Sequence, residues 1–141
     1  MLSSTPGRPI RRFLLLACLA GVAASFMLAS VASAAPIPTN VKLSQSAQFT
    51  LSYQIDVQVA LSCTAGYGFF VNVNVVQPQG FGFTMFGGGS SSGQCTGQQQ
   101  KLAVPVYTFG GGPWLLGDAS AGVVACAGSC ADDTSQIHIG L

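Results

Sequence analysis

From Phe49 the chain alternates apolar and polar residues with a period of two. Phe49, Leu51, Tyr53, Ile55, Val57, Val59, Leu61 and Cys63 share one face, while Thr50, Ser52, Gln54, Asp56, Gln58 and Ser62 occupy most of the other. This is the pattern of half-buried strands, with one face toward a core and the other toward water. A single strand of that length would run ~50 Å at ~3.4 Å per residue, against ~17–20 Å for a usual strand, so a bend or bulge is expected within it. Ahead of it, Val41 to Leu43 begins a first strand and Ser44 to Ala47 makes a weak turn.

The stretch Thr64-Ala65-Gly66-Tyr67-Gly68 breaks the run, and Phe69, Val71, Val73 and Val75 resume it opposite Phe70, Asn72, Asn74 and Val76. Pro78-Gln79-Gly80 turns the chain into Phe81, Phe83 and Met85, and the glycines and serines of 87–93 read as a flexible loop. A short strand near Gln94 and Cys95 follows, then Leu102, Val104 and Val106 alternate with Lys101, Ala103 and Pro105. Pro105 has no N–H to give a ladder, which predicts an edge or bulged strand. Trp114, next to Pro113, is expected to plug the core at a loop mouth. Ala119 to Cys126 forms a small-residue strand, and Ser135, Ile137, Ile139 and Leu141 a closing one. Seven or eight short strands without a helical period predict an all-β fold, an antiparallel immunoglobulin-like sandwich, with a small barrel as the alternative.

The first 34 residues follow a different pattern. Arg8, Arg11 and Arg12 are the only arginines, and they precede the apolar run from Phe13 to Ala20 and the small-residue exit Ala32-Ser33-Ala34-Ala35. These are the three regions of a secretory signal peptide, helical and cleaved after Ala34 or Ala35. Residues 1–34 are thus expected to be a leader and residues 35–141 one folded domain that is secreted, with association to the cell envelope. Phe13 to Ala34 is long enough to cross a bilayer, so membrane contact is expected only through an uncleaved signal. Without the leader, Lys42 and Lys101 stand against Asp56, Asp118, Asp132 and Asp133, a formal net charge of −2. Neutralising phosphates takes several Lys or Arg, so nucleic acid is disfavoured as a partner.

Four cysteines lie beyond the leader, and export makes disulfides their default state. Three pairings are possible; Cys63 with Cys95 and Cys126 with Cys130 is favoured, because Ala127-Gly128-Ser129 supplies a tight turn. A four-cysteine zinc site lacks paired Cys-x-x-Cys knuckles, and a redox-active Cys-x-x-x-Cys lacks a helix start to lower a thiol pKa.

Catalytic chemistry finds few supports. His138, the only histidine, points away from Ile137 and Ile139 on a strand and reads as a surface residue. No glutamate lies beyond the leader, and the adjacent Asp132 and Asp133 would point apart, a poor glycosidase pair. No calcium-loop spacing surrounds the aspartates, and the Gly66-x-Gly68 and Gly80-x-Gly82 pairs open no helix. No enzyme activity and no cofactor or metal are expected. The feature that scaffold alone does not absorb is the aromatic cluster across the 78–80 turn. Consecutive strand residues such as Phe69 and Phe70 face opposite ways, so part of the cluster must lie outside a single packed layer. Tyr67, Phe70, Phe81, Phe83 and Phe86 are therefore the candidate apolar binding residues, for an unknown protein, a glycan or a hydrophobic small molecule.

The segments Leu61-Ser62-Cys63-Thr64-Ala65-Gly66 and Gln94-Cys95-Thr96-Gly97, with Gly117-Asp118-Ala119 leading to Cys126 and Cys130, resemble small exported β-sandwich proteins of actinobacteria, most of unknown function. More distantly the chain is similar to neocarzinostatin-type chromophore-binding apoproteins, exported sandwiches with two disulfides, one closing a short loop near the final strand. That likeness implies an apolar ligand cleft. The Cys63 to Cys95 separation is wider than that family's first loop, and no binding motif carries over residue by residue. Two functional expectations follow: a secreted or envelope-associated, non-catalytic binding module, or a carrier of a hydrophobic small molecule in an aromatic-lined cleft.

Overall fold

The computed structural model describes residues 37–110 and 112–141; the expected leader helix lies outside them. Seven strands account for most of the described chain: β1 (Asn40–Leu51), β2 (Gln54–Ser62), β3 (Gly68–Gln79), β4 (Phe83–Gln94), β5 (Gln100–Phe109), β6 (Gly117–Ala127) and β7 (Ser129–Gly140). They form a closed barrel in the order β1-β2-β5-β4-β3-β6-β7. Neighbours are antiparallel except at the seam, where Ser46–Gln48 of β1 run parallel to His138–Gly140 of β7.

The open immunoglobulin-like sandwich expected from the strand count is therefore corrected to a barrel. What overturns it is the β3–β4 hairpin, paired without a break from Gly68 opposite Gln94 to Gln79 opposite Phe83, which joins the two would-be layers on one side. The β1–β7 seam joins them on the other. Closure of this kind gives every strand two neighbours, although the β4–β5 and β1–β7 ladders span only three residue pairs each.

The core follows the period-two pattern. Ile55, Val57, Val59 and Leu61 of β2, Val71, Val73 and Val75 of β3, Val104 and Val106 of β5, Val123 of β6 and Ile137 and Ile139 of β7 are all buried. The long run from Phe49 bends far more sharply than a bulge. Leu51 pairs with Gln54, so Ser52 and Tyr53 form a two-residue turn that sends the chain back on itself. Leu51 and Tyr53 are consequently exposed and do not join the core face. The turn expected over Ser44–Ala47 is instead an irregularity within continuous β1, between Leu43 and Ala47, at the point where β1 meets β7.

The expected 87–93 loop is also a strand. Gly87, Gly89 and Gly93 sit opposite the buried Val75, Val73 and Phe69, on the inward face of β4. A Cβ at Gly87 would overlap the Trp114 ring, one at Gly89 would overlap the Pro105 carbonyl, and one at Gly93 would lie 2.8 Å from Phe69 Cζ. The glycines serve close approach between backbone and rings, which is a strand role for glycine as well as a loop role. Pro105 is half-buried on the outer side of β5, which runs between β2 and β4 rather than at an edge, but the β4–β5 ladder covers only Tyr107 to Phe109, so its missing N–H falls beyond that ladder.

Both favoured disulfides are present. Cys63–Cys95 is buried and ties the end of β2 to the end of β4; Cys126–Cys130 links directly opposed residues of β6 and β7. They fit an oxidising environment.

Candidate functional site: an apolar crown at one barrel end

Strand direction places the turn at Ser52-Tyr53, the turn at Gly80-Phe81-Gly82 and the connection over 110–116 at the same end of the barrel. These three loops hold no Asp, Glu, Lys or Arg. They carry exposed Tyr53, Phe81, Leu115 and Leu116, and the adjoining strand ends add Leu51, Phe83, Phe86 and Phe109. Phe86 and Phe109 are cross-strand partners on the outer face. Most of the large exposed hydrophobic side chains of the described residues thus gather around one mouth.

Polar side chains brace this end from beneath. Gln77, only 2% exposed, donates from Nε2 to Leu115 O at 2.8 Å and accepts from Leu115 N–H at 3.0 Å. Gln79 Nε2 donates to Pro113 O at 2.8 Å, and Trp114 N–H donates to Ser52 O at 2.8 Å. A primary amide offers both donor and acceptor, so one inward glutamine satisfies both backbone groups of Leu115 and holds the connection in a single register. Trp114, 1% exposed, drops its indole over glycine-bare β4 and closes the mouth. The crown is therefore anchored on buried groups while its apolar side chains project outward.

The five candidate aromatic residues are all exposed, but the barrel does not bring them together. Phe81, Phe83 and Phe86 belong to the crown. Tyr67 and Phe70 lie toward the opposite end: the Tyr67 ring packs against Gly128 in the β6–β7 turn, and Phe70 stands opposite Cys126. Phe86 faces Val76, six residues along β3 from Phe70, so the groups are separated by roughly 20 Å at ~3.3 Å per residue. Sequence reasoning missed Leu51, Tyr53, Phe109, Leu115 and Leu116, because only the meeting of three sequence-distant loops makes them one surface.

Four depressions formed by the described residues take no lining from Phe81, Phe83 or Phe86. One of about 290 Å³ lies over Leu43, Val59 and Ala60 between Lys42 and Lys101; Tyr67 lines another, of about 250 Å³, near Gly128. Among the described residues no three His, Cys, Asp or Glu side chains gather as a metal-binding group. His138 is exposed, with Nδ1 2.8 Å from Asp118 Oδ1 on the neighbouring strand. The sequence contained a signal for this pair: once Cys126 is opposite Cys130, eight steps outward along each strand lead to Asp118 and His138.

No known family matches the chain, and no curated protein matches it in sequence.

Proposed function

We propose that the protein is an exported, non-catalytic binding module that works through the apolar crown, in the medium or on the cell envelope. The observation that carries this reading is the gathering of Tyr53, Phe81, Leu115 and Leu116 on three braced loops that hold no charged side chain, with Leu51 and Phe83 on the adjoining strand ends. Contiguous exposed apolar surface is unfavourable in water, and on soluble proteins it marks contact sites. Loops set on a rigid scaffold are where binding residues concentrate. Two disulfides and the basic-then-apolar start of the chain support export. The carrier reading draws less support: Val, Ile and Trp114 side chains fill the barrel, and the crown aromatics face outward.

The test is retention of the oxidised protein on isolated cell envelopes, together with saturable binding of an environment-sensitive apolar dye. Phe83→Ser and Leu116→Ser should weaken both, whereas Phe70→Ala, at the other end, should leave them unchanged. Equal retention and dye binding by the crown variants and the unaltered protein would remove the crown from the function.

A further inference from the structure

The tip of the β3–β4 hairpin is built against the preferences of its own backbone. Phe81 has φ +61° and Gly82 φ +81°, and Phe83 N–H reaches back to Gly80 O at 3.5 Å. Two successive positive φ values are the signature of a type I′ turn, in which asparagine or aspartate followed by glycine is the preferred pair. A phenylalanine at the first of these positions places its Cβ against the carbonyl in the left-handed region. Packing could offset that penalty, but Phe81 is 103% exposed, so its ring gains nothing from the rest of the domain. The residue is unfavourable for the turn and idle in the fold. Backbone strain that the fold itself does not use is a pointer to function.

Resting on the crown reading above, we infer that the crown's partner is the uncharged surface of a lipid bilayer, with Phe81 as the leading residue of insertion. Three observations favour lipid over a shaped protein partner. First, the apolar groups project: Phe81 and Phe83, 73% exposed, stand clear of their neighbours, and a fluid apolar phase can close around projecting side chains without a preformed socket. Second, the crown loops have no charged side chain; the ionisable groups nearest them are Asp118, beside His138 at the crown ends of β6 and β7, and Asp56 near the start of β2, whereas both lysines of the described domain, Lys42 and Lys101, lie near the starts of β1 and β5 at the opposite end. Attraction to anionic headgroups needs basic residues close to the surface, so this crown matches a zwitterionic one. Third, Tyr53 in the first turn and Tyr107, two residues before Phe109 on the same outer face, are amphipathic rings behind the purely apolar tip. Tyrosine takes that level at membrane–water boundaries. The braced loops also suit the task, since Gln77, Gln79 and Ser52 satisfy the backbone groups of Leu115, Pro113 and Trp114 internally. Unpaired backbone groups would oppose entry into hydrocarbon.

Thr39, just ahead of β1, is fixed at the far end by its hydroxyl donating to Ala127 O at 3.1 Å. Sequence reasoning confined membrane contact to an uncleaved leader; the folded domain supplies a separate route.

The experiment is flotation of the oxidised protein with vesicles of phosphatidylcholine alone, comparing unaltered protein, Phe81→Asn and Phe83→Ser in the same processed form, so that any leader contributes equally. Phe81→Asn installs the preferred Asn-Gly turn and removes the apolar tip, so lost binding cannot be blamed on misfolding. The expected result is flotation of the unaltered protein and about a tenfold loss of vesicle partitioning for each variant, the scale set by withdrawing a phenylalanine side chain from an apolar phase. Partitioning should be the same in 0.1 M and 1 M salt, although the Debye length falls from about 10 Å to about 3 Å, and should not rise when anionic lipid is added. Absence of flotation, full flotation of Phe81→Asn, or binding that needs anionic lipid would each overturn the lipid inference. Envelope retention sensitive to Phe83→Ser without vesicle flotation would leave the crown as a contact site and assign it a protein or glycan partner. Concentration-dependent dimers lost in Phe81→Asn, again without flotation, would assign it a second copy of this chain.

Discussion

Replacing Phe81 by asparagine should make the domain more stable, an unusual expectation for the loss of a large apolar side chain. The left-handed conformation costs a non-glycine residue about 1–2 kcal/mol, and asparagine escapes much of that through local hydrogen bonding. No packing is lost in exchange, because the Phe81 side chain is fully exposed. A gain of about 1 kcal/mol is expected, which for a domain of about 100 residues raises Tm by about 4 °C. Phe81→Ala is the internal control: alanine also has a Cβ, keeps the φ +61° penalty, and should fall within about 0.5 kcal/mol of the unaltered protein. Urea unfolding followed by far-ultraviolet circular dichroism, with equal m-values for the three proteins, separates these outcomes. Destabilisation by both substitutions would mean that the ring packs on the domain and that the argument from an idle, strained residue is unsound.

Gly89→Ala should lower stability by more than about 3 kcal/mol or abolish soluble expression, since its Cβ would overlap the Pro105 carbonyl and both overlapping groups belong to backbone-defined strands. Denaturant midpoints would show it. Replacing Cys63 and Cys95 by alanine should cost about 3.5–4 kcal/mol for a loop of 32 residues, and replacing Cys126 and Cys130 about 2 kcal/mol for a loop of 4, measured on non-reduced material. The reverse order would refute the loop-entropy account. Asp118→Asn should leave the unfolding midpoint within error, because exposed ion pairs contribute little; a large loss would reveal a structural role for the Asp118–His138 pair.

Much of the barrel wall is legible in period two: Ile55 to Leu61, Val71 to Val75, and Val104 to Val106 alternate in sequence as they do in space. Two features resisted. Ser52-Tyr53 reverses the chain without glycine, proline or asparagine, so an apolar series that continues in sequence is divided in space. Gly87 to Gly93 has the composition of a loop, yet its glycines are spaces into which Trp114, Phe69 and the Pro105 carbonyl fit. A glycine that frees a loop and one that admits a neighbour look alike until the neighbour is known. Misreading that strand also hid closure, because β4 is the strand that joins β3 to β5. The aromatic residues were readable as a surplus, but their division into two groups depends on barrel ends that no local pattern encodes.

The two ends differ in a way that bears on what the surplus is for. At the far end the loops are secured covalently by Cys63–Cys95 and capped by polar contacts, Thr96 N–H to Gln100 Oε1 at 3.2 Å and Gln100 Nε2 to Gln94 O at 3.2 Å. At the crown no disulfide is present, and the fixing is done by buried Gln77 and Trp114 from below. Had the crown's exposed side chains been needed for stability, their natural place was inward, over the mouth that Trp114 already closes. Polar replacements at Leu115 or Leu116 would leave those buried anchors intact. The apolar character of the crown is thus separable from the forces that hold it in shape, and its explanation has to come from what it meets outside the barrel.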